Sequence, residues 1–322
     1  MAFSLKDSWV WDFWLADDGD SFHMYYLHAP KRLGDPALRH RNARIGHATS
    51  HDLTTWESHG VVLQPDDSEA FDATSTWTGS VLQGPDGLWR MFYTGARFYE
   101  AHNIEAIGVA TSRDLYSWTK QPAVVLEPDR RWYERYGDST WPEEAWRDPW
   151  VFADPEGDGW HMLITARANQ GEVDNRGVIG HAVSSDLETW EVQPPLSQPG
   201  AGFGHLEVPQ AITINGQTGL LFSCGVDTLS ARKAEGFDGG GIWSLPTNQI
   251  TGPFDVATAT VVTTEPLYSG RLIQDRSGQW LMMACHDAHS DGSFDGLVSD
   301  PLPVHWDPQR GGLAIIAPSK NP

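Results

Sequence analysis

The chain has 322 residues, enough for two average domains or one large all-β domain, and enough to bury a substantial core. A formal net charge of −21 sets nucleic acid and anionic membrane aside as partners, because both require basic patches, whereas a neutral sugar is indifferent to it. The 16 tryptophans, 32 glycines and 21 prolines suit many short strands joined by tight turns, with rings left over to line a site.

The chain opens MAFSLKDSW, with no apolar stretch of signal-peptide length, and no later segment is long enough to span a bilayer, so a cytoplasmic location is expected. Apolar segments then come in pairs. WDFWLA is followed by FHMYYLHAP from Phe22, TGSVLQ by LWRMFYTG from Leu88, and RDPWVFA by WHMLITAR from Trp160. Next come EVPQAI with GLLFSCG from Gly219, and SGRLIQ with WLMMACHD from Trp280. Gly-containing turns precede most of the second members, the punctuation expected between antiparallel strands. After three of the pairs a further phrase recurs: IGHATSHDLTTW from Ile45, IGVATSRDLYSW from Ile107 and IGHAVSSDLETW from Ile179. Its Asp-Leu step precedes a Trp at constant spacing: Asp52 and Trp56, Asp114 and Trp118, Asp186 and Trp190.

Such long repeats predict one small sheet per repeat with loops of varying length. The pairs give the first and second strands of five blades, and the IGxAxSxDLxxW phrase gives a third strand and its turn. With no amphipathic stretch of helical period, the prediction is an all-β, five-bladed β-propeller. Radial repetition of this kind avoids long exposed edges. A β-sandwich or two separate β-domains is the rival. No Pro-, Ser- or charge-rich linker divides the chain, so residues 1–322 are read as a single domain without a C-terminal β-sandwich. The tail from about Leu302 is expected to pack over the last blade.

Three of the five first strands begin with an acid: Asp12 in WVWDFWL, Asp148 in WRDPWVF and Glu207 in HLEVPQAI. First strands line the central channel of a propeller, where acids are expensive unless hydrated, paired or used. The step from each acid to the next strand is similar, so all three are expected at comparable depth around one axis. Ser80 or Gly79, and Gly270, are expected at that level in the other two blades. A single Asp before an apolar run most often caps a turn. Three at matching register beside Trp9, Trp11, Trp14, Trp77 and Trp146 point instead to a sugar site, which pairs carboxylates with aromatic platforms. Glycoside cleavage needs an acid for the leaving oxygen and a carboxylate for the oxocarbenium-like centre. A third carboxylate can grip ring hydroxyls as charge develops.

These residues resemble the clan of five-bladed propellers comprising glycoside hydrolase families 32 and 68. Val10-Trp11-Asp12-Phe13-Trp14 looks like the V-W-D-S-W of family 68, whose Asp is the nucleophile. Trp77-Thr78-Gly79-Ser80 resembles W-S-G-S, whose Ser supports that nucleophile. Arg147-Asp148-Pro149 matches the R-D-P of both families, whose Asp stabilises the transition state through sugar hydroxyls. Glu207-Val208-Pro209 looks like E-R-P or E-C-P, whose Glu is the acid/base. The chain departs from family 32 in the bulk of Trp11, Phe13 and Trp14, and from both families in Val208 after the acid/base. The resemblance implies catalytic Asp12, Asp148 and Glu207, with Trp11, Trp14, Trp77, Ser80, Arg147 and His205 contacting a small saccharide.

The expected reaction is retaining hydrolysis of small furanosides, most simply β-fructofuranosides, with fructosyl transfer as its variant when a sugar replaces water. An inverting arabinofuranosidase- or xylosidase-like enzyme on the same fold is the alternative, and a non-catalytic sugar-binding propeller is a third reading. No cofactor and no metal are expected. His286, Asp287, His289 and Asp291 in CHDAHSDG fit no zinc spacing and read as hydrated loop residues. Asp17-Asp18 and Asp66-Asp67 read as polar turns, and Cys224 and Cys285, each in an apolar run, as buried thiols. Oligomeric state is not legible.

Overall fold

The structure is a computed structural model that describes residues 2–67, 69–99, 102–236, 240–264, 266–286 and 293–316. Five antiparallel sheets follow one another along the chain, each beginning with the strand pair anticipated from the sequence. Blade one comprises Ser8–Asp17, Phe22–Pro30, Arg44–Ser50 and Glu57–Leu63. Blade two comprises Ser75–Gln83, Trp89–Tyr99, His102–Ser112 and Thr119–Lys120. Blade three comprises Trp146–Ala153, Trp160–Arg167, Gly177–Ser184 and Trp190–Gln193, and blade four Glu207–Ile214, Gln217–Cys224, Gly241–Pro246 and Thr260–Thr264. Each first strand packs against the first strand of the next blade, and that of blade five returns to that of blade one, so the ring is closed. This is a five-bladed β-propeller.

Blade five is built from both ends of the chain. Leu267–Gln274 pairs with Trp280–His286, whose other edge takes Leu297–Val298 and Leu302–Asp307. Gly312–Ile315 then pairs with Leu302–Asp307. The segment after Leu302, expected as a tail over the blade, is thus its outer strands. The N-terminal Phe3–Ser4 pairs with Leu297–Val298, fastening the start of the chain to the last blade.

Alternation along the second strands explains how the blades cohere. In blade two, Met91 and Tyr93 join the apolar cluster shared with blade one, while Phe92 joins the cluster shared with blade three. Side chains on a strand point to opposite faces in turn, so a blade buried on both faces needs apolar residues at both parities. Three further clusters fill the remaining interfaces.

The recurrent phrase forms third strands and their turns. Asp52 Oδ1 accepts the Thr54 and Thr55 amides at 2.8 and 2.7 Å, Asp114 Oδ1 those of Tyr116 and Ser117 at 2.9 and 2.7 Å, and Asp186 Oδ1 those of Glu188 and Thr189 at 2.9 and 2.7 Å. The intervening Leu53, Leu115 and Leu187 lie at φ of 62°, 66° and 64°. Non-glycine residues adopt that conformation at a cost, which the aspartate bonds and the buried leucine side chains offset.

One feature of the first strands builds the site. In every blade the first strand carries one residue more than its partner, a β-bulge. The pairs immediately before the bulge are Trp11–Leu27, Trp77–Thr94, Arg147–Thr165, Glu207–Ser223 and Tyr268–Cys285. Asp12, Thr78, Asp148, Val208 and Ser269 come next. Glu207 therefore sits one position earlier than Asp12 and Asp148, and the residues equivalent to those two acids are Thr78 and Ser269, not Ser80, Gly79 or Gly270. Counting from acid to next strand concealed the offset, because the hairpin turns differ in length.

Candidate active site

A pocket of about 290 Å³ opens where the first strands converge. Trp11 and Asp12, Trp77 and Thr78, and Arg147 and Asp148 all line it, with Glu207 from blade four and Tyr268 from blade five. In a regular strand consecutive side chains point to opposite faces. The bulge lets neighbours share the pocket, which is how Glu207 meets Asp12 and Asp148 despite its offset. Asp148, Val208 and Ser269 occupy φ of 58°, 53° and 50° at the bulges of blades three, four and five. For the β-branched Val208 this is a strained geometry of the kind that collects at functional sites.

Asp12 is gripped by two hydroxyls. Thr78 Oγ1 donates to Oδ2 at 3.0 Å, and Ser269 Oγ donates to Oδ1. Cys285 Sγ lies 3.9 Å from Oδ1. Ser80, expected to support Asp12, instead accepts the Val151 amide at 3.2 Å and is buried against blade three. Its role falls to Thr78 and Ser269. Thr78 lies within the W-T-G-S motif, two positions before Ser80, and Ser269 lies in a blade without an acid.

Asp148 is buried, and its Oδ2 accepts Thr165 Oγ1 at 2.8 Å and the Val208 amide at 3.0 Å. The strained Val208 thus presents its backbone to one carboxylate while its predecessor supplies another. Burial pushes the Asp148 carboxyl up to about 7, with the negative charges of Glu207 and Asp12 adding to the rise and Arg147 opposing it.

Glu207 is held from both sides. Arg147 donates to Oε1 through Nε at 3.2 Å and Nη2 at 2.7 Å, and the Tyr268 hydroxyl donates to Oε2. Arg147 in turn reaches Glu105 Oε1 at 3.0 Å and Glu143 Oε1 at 3.1 Å. Burial acts to lower Arg147, but Glu105, Glu143 and Glu207 outweigh it and hold the guanidinium well above its ordinary range. Burial pushes Glu105 up to about 8 against the pull of Arg147. His205 lies 3.2 Å from both Arg147 Nη2 and the Trp141 indole nitrogen, and burial keeps it well below the usual histidine range, so it is neutral.

Trp11 and Trp77 border the pocket. Trp14 does not. It is fully buried and stacks on Tyr25 with centroids 6.0 Å apart, because the bulge at Asp12 turns it into the core. Trp9 and Trp146 are core residues too. Sequence reasoning also missed Tyr268, Glu143, Arg39 and His40 among the lining residues. Arg39 and His40 come from the 3₁₀ segment Pro36–Asn42 between the second and third strands of blade one, and Glu143 from the long connection into blade three. Loops carry no register, so nothing in the sequence aimed them here. His286 ends a second strand, while Asp287, His289 and Asp291 lie outside the described residues. Cys224 and Cys285 are both buried and unbridged.

Residues 15–263 match the family model described as the glycosyl hydrolases family 32 N-terminal domain. The match contains Asp148 and Glu207 and begins just after Asp12. An extracellular sucrase of Zymomonas mobilis is 27% identical across 95% of this chain and 79% of its own length. A sucrose-6-phosphate hydrolase of Escherichia coli is 28% identical over 63% of this chain, which spans 39% of that protein. Among solved structures, the inulosucrase from Halalkalicoccus jeotgali bound to kestose superposes with a TM-score of 0.79 at 22% identity, covering 100% of this chain and 92% of that one. The levansucrase from Gluconacetobacter diazotrophicus gives 0.73 at 20% identity, covering 97% and 81%. At these identities the structural likeness establishes the propeller fold.

Proposed function

The chain belongs to the family defined by the glycosyl hydrolase family 32 N-terminal domain, and from that premise we propose that it is a retaining β-fructofuranosidase acting on small fructosides. One observation carries the reading: Asp12, Asp148 and Glu207, from three different blades, line a single pocket that Trp11 and Trp77 also border. Sucrose-type sugars are the substrates of choice, in keeping with the names of the sucrase and sucrose-6-phosphate hydrolase relatives.

In this mechanism Asp12 attacks the anomeric carbon while Glu207 passes a proton to the departing glycosidic oxygen. A fructosyl–Asp12 ester forms as the C–O bond to the leaving sugar breaks. Glu207, now a carboxylate, takes a proton from water, and that water displaces Asp12 with the configuration retained. A second sugar in place of water gives fructosyl transfer. The hydroxyls of Thr78 and Ser269 fix the direction of the Asp12 carboxylate, so little reorganisation is needed at the attack. Both bonds to Asp148 fall on Oδ2, which leaves Oδ1 for sugar hydroxyls as positive charge develops on the ring. A cytoplasmic site of action is part of the proposal and is supported by two unbridged thiols, which suit a reducing compartment.

The test is a panel of sucrose, inulobiose, levanbiose, difructose anhydrides and arabinofuranosides, run with wild type and Asp12→Asn. Fructose release from at least one fructoside, absent in the variant, is expected. Arabinose release without fructose would favour the inverting alternative. Binding without turnover on every sugar would favour a sugar-binding propeller.

A further inference from the structure

Arg271 stands on the first strand of blade five, two residues beyond Ser269, and is only 1% exposed. Burying a cation is costly unless it is well bonded. Among the described residues it makes no ion pair; its bonds run to main-chain carbonyls. Nε donates to Phe13 O at 3.3 Å, and Nη1 donates to Val208 O at 3.3 Å and to Pro209 O at 3.1 Å. Phe13 follows Asp12 in the first strand of blade one, and Val208 and Pro209 follow Glu207 in that of blade four. One rigid guanidinium therefore spans from the strand of one candidate catalytic acid to that of the other. The strand that carries it also sends Tyr268 to Glu207 and Ser269 to Asp12.

Arg271 itself lies outside the catalytic pocket. It borders a separate cavity of about 250 Å³ with Trp150, Gln210 and Leu272, so it has no contact with a sugar bound at Asp12. We propose that Arg271 is a positioning residue that sets the gap between Asp12 and Glu207 by clamping the backbone just beyond each. The proposal rests on the reading of Asp12 and Glu207 as the two working carboxylates. Retaining cleavage works across a separation of only about 5–5.5 Å, and a misplacement of about 1 Å can cost on the order of 10²-fold in rate. Lysine keeps the charge but cannot reach carbonyls on two strands with a planar fork.

The experiment compares wild type, Arg271→Lys and Arg271→Met, with Arg90→Lys as a control. Arg90 is a buried arginine that pairs with Asp86, away from the pocket. The readouts are kcat, KM and the pH profile of kcat/KM on a fructoside that wild type cleaves, with melting curves to count folded molecules. Arg271→Lys is expected to fold, lose about 10- to 100-fold in kcat with KM within about threefold, and displace at least one limb of the pH profile. Arg271→Met should lose more, and Arg90→Lys should match wild type. Unchanged kcat per folded molecule in Arg271→Lys would overturn the proposal, as would a loss matched by the control. Should Arg271→Met not fold, the lysine variant decides alone. A wild type inactive on all fructosides would instead sink the functional reading above.

Discussion

Arg147 and Glu207 meet through two hydrogen bonds to one oxygen, with Arg147 Nη2 2.7 Å and Nε 3.2 Å from Glu207 Oε1. The same guanidinium serves Glu105 and Glu143, and Glu207 takes its other bond from Tyr268. The candidate proton donor is thus fixed in place by groups that do not themselves need to touch the reacting bond.

Glu207→Gln removes the proton but keeps the shape. Turnover of sucrose should fall by roughly 10³-fold, with sugar affinity within a few-fold of wild type. The kcat/KM of an aryl fructofuranoside, which reports the first step and whose leaving group needs no proton, should suffer far less. Steady-state kinetics on the two substrates check this, and equal losses of kcat/KM on both would show that Glu207 does not protonate the leaving group.

The Asp12 hydroxyl donors are the second test. Hydrogen bonds to a charged group contribute about 1.5–3 kcal/mol. Thr78→Val and Ser269→Ala should each lower kcat by roughly 10- to 100-fold if that much orientation is lost at the attack. Ser80→Ala should leave kcat near wild type, because Ser80 serves the Val151 amide instead. A large kcat loss in Ser80→Ala alone would reverse this assignment.

The buried Asp148 carboxyl ties stability to pH. Its folded pKa is raised to about 7, above the ordinary aspartate value, so the native state favours the protonated form. The stability this contributes is complete below about pH 4 and is lost as pH rises through about 7. Glu105, pushed up to about 8, acts in the same sense. Buried His47, lowered to about 3, and His181, lowered to about 4, act oppositely and weaken the fold as pH falls below about 6.5. Asp148→Asn keeps an acceptor for Thr165 and Val208 but cannot ionise. Its melting temperature at pH 7.5 should exceed that of wild type, and the fall between pH 5 and 7.5 should be shallower, while turnover is lost. Calorimetry across that range reads both, and an unchanged slope would contradict the buried-charge account.

The blade count was legible because each hairpin repeats the same apolar pair and the third-strand phrase ends in an Asp–Leu turn that can be seen as text. The three acids were legible for the same reason. Their exact depth was not, since a β-bulge has no signature in residue type: Asp12 and Thr78 occupy equivalent places with unlike side chains. The misassigned Ser80 and Trp14 both follow from that single extra residue, which shifts every later side chain on its strand to the other face. The closing role of Phe3–Ser4 was hidden too, because a two-residue strand shows no alternation. Arg271 was passed over as one basic residue in SGRLIQ; only the folded ring brings the carbonyls of Phe13, Val208 and Pro209 within its reach.

The most direct measurement runs the enzyme on sucrose in aqueous methanol and assigns the methyl fructofuranoside by ¹³C NMR, since the methyl glycoside cannot interconvert as free fructose does. Attack by Asp12 followed by delivery of methanol on the face left by the first sugar gives the β-anomer. Formation of the α-anomer would mean that methanol entered opposite the leaving group in one step, and Asp12 would not be the nucleophile.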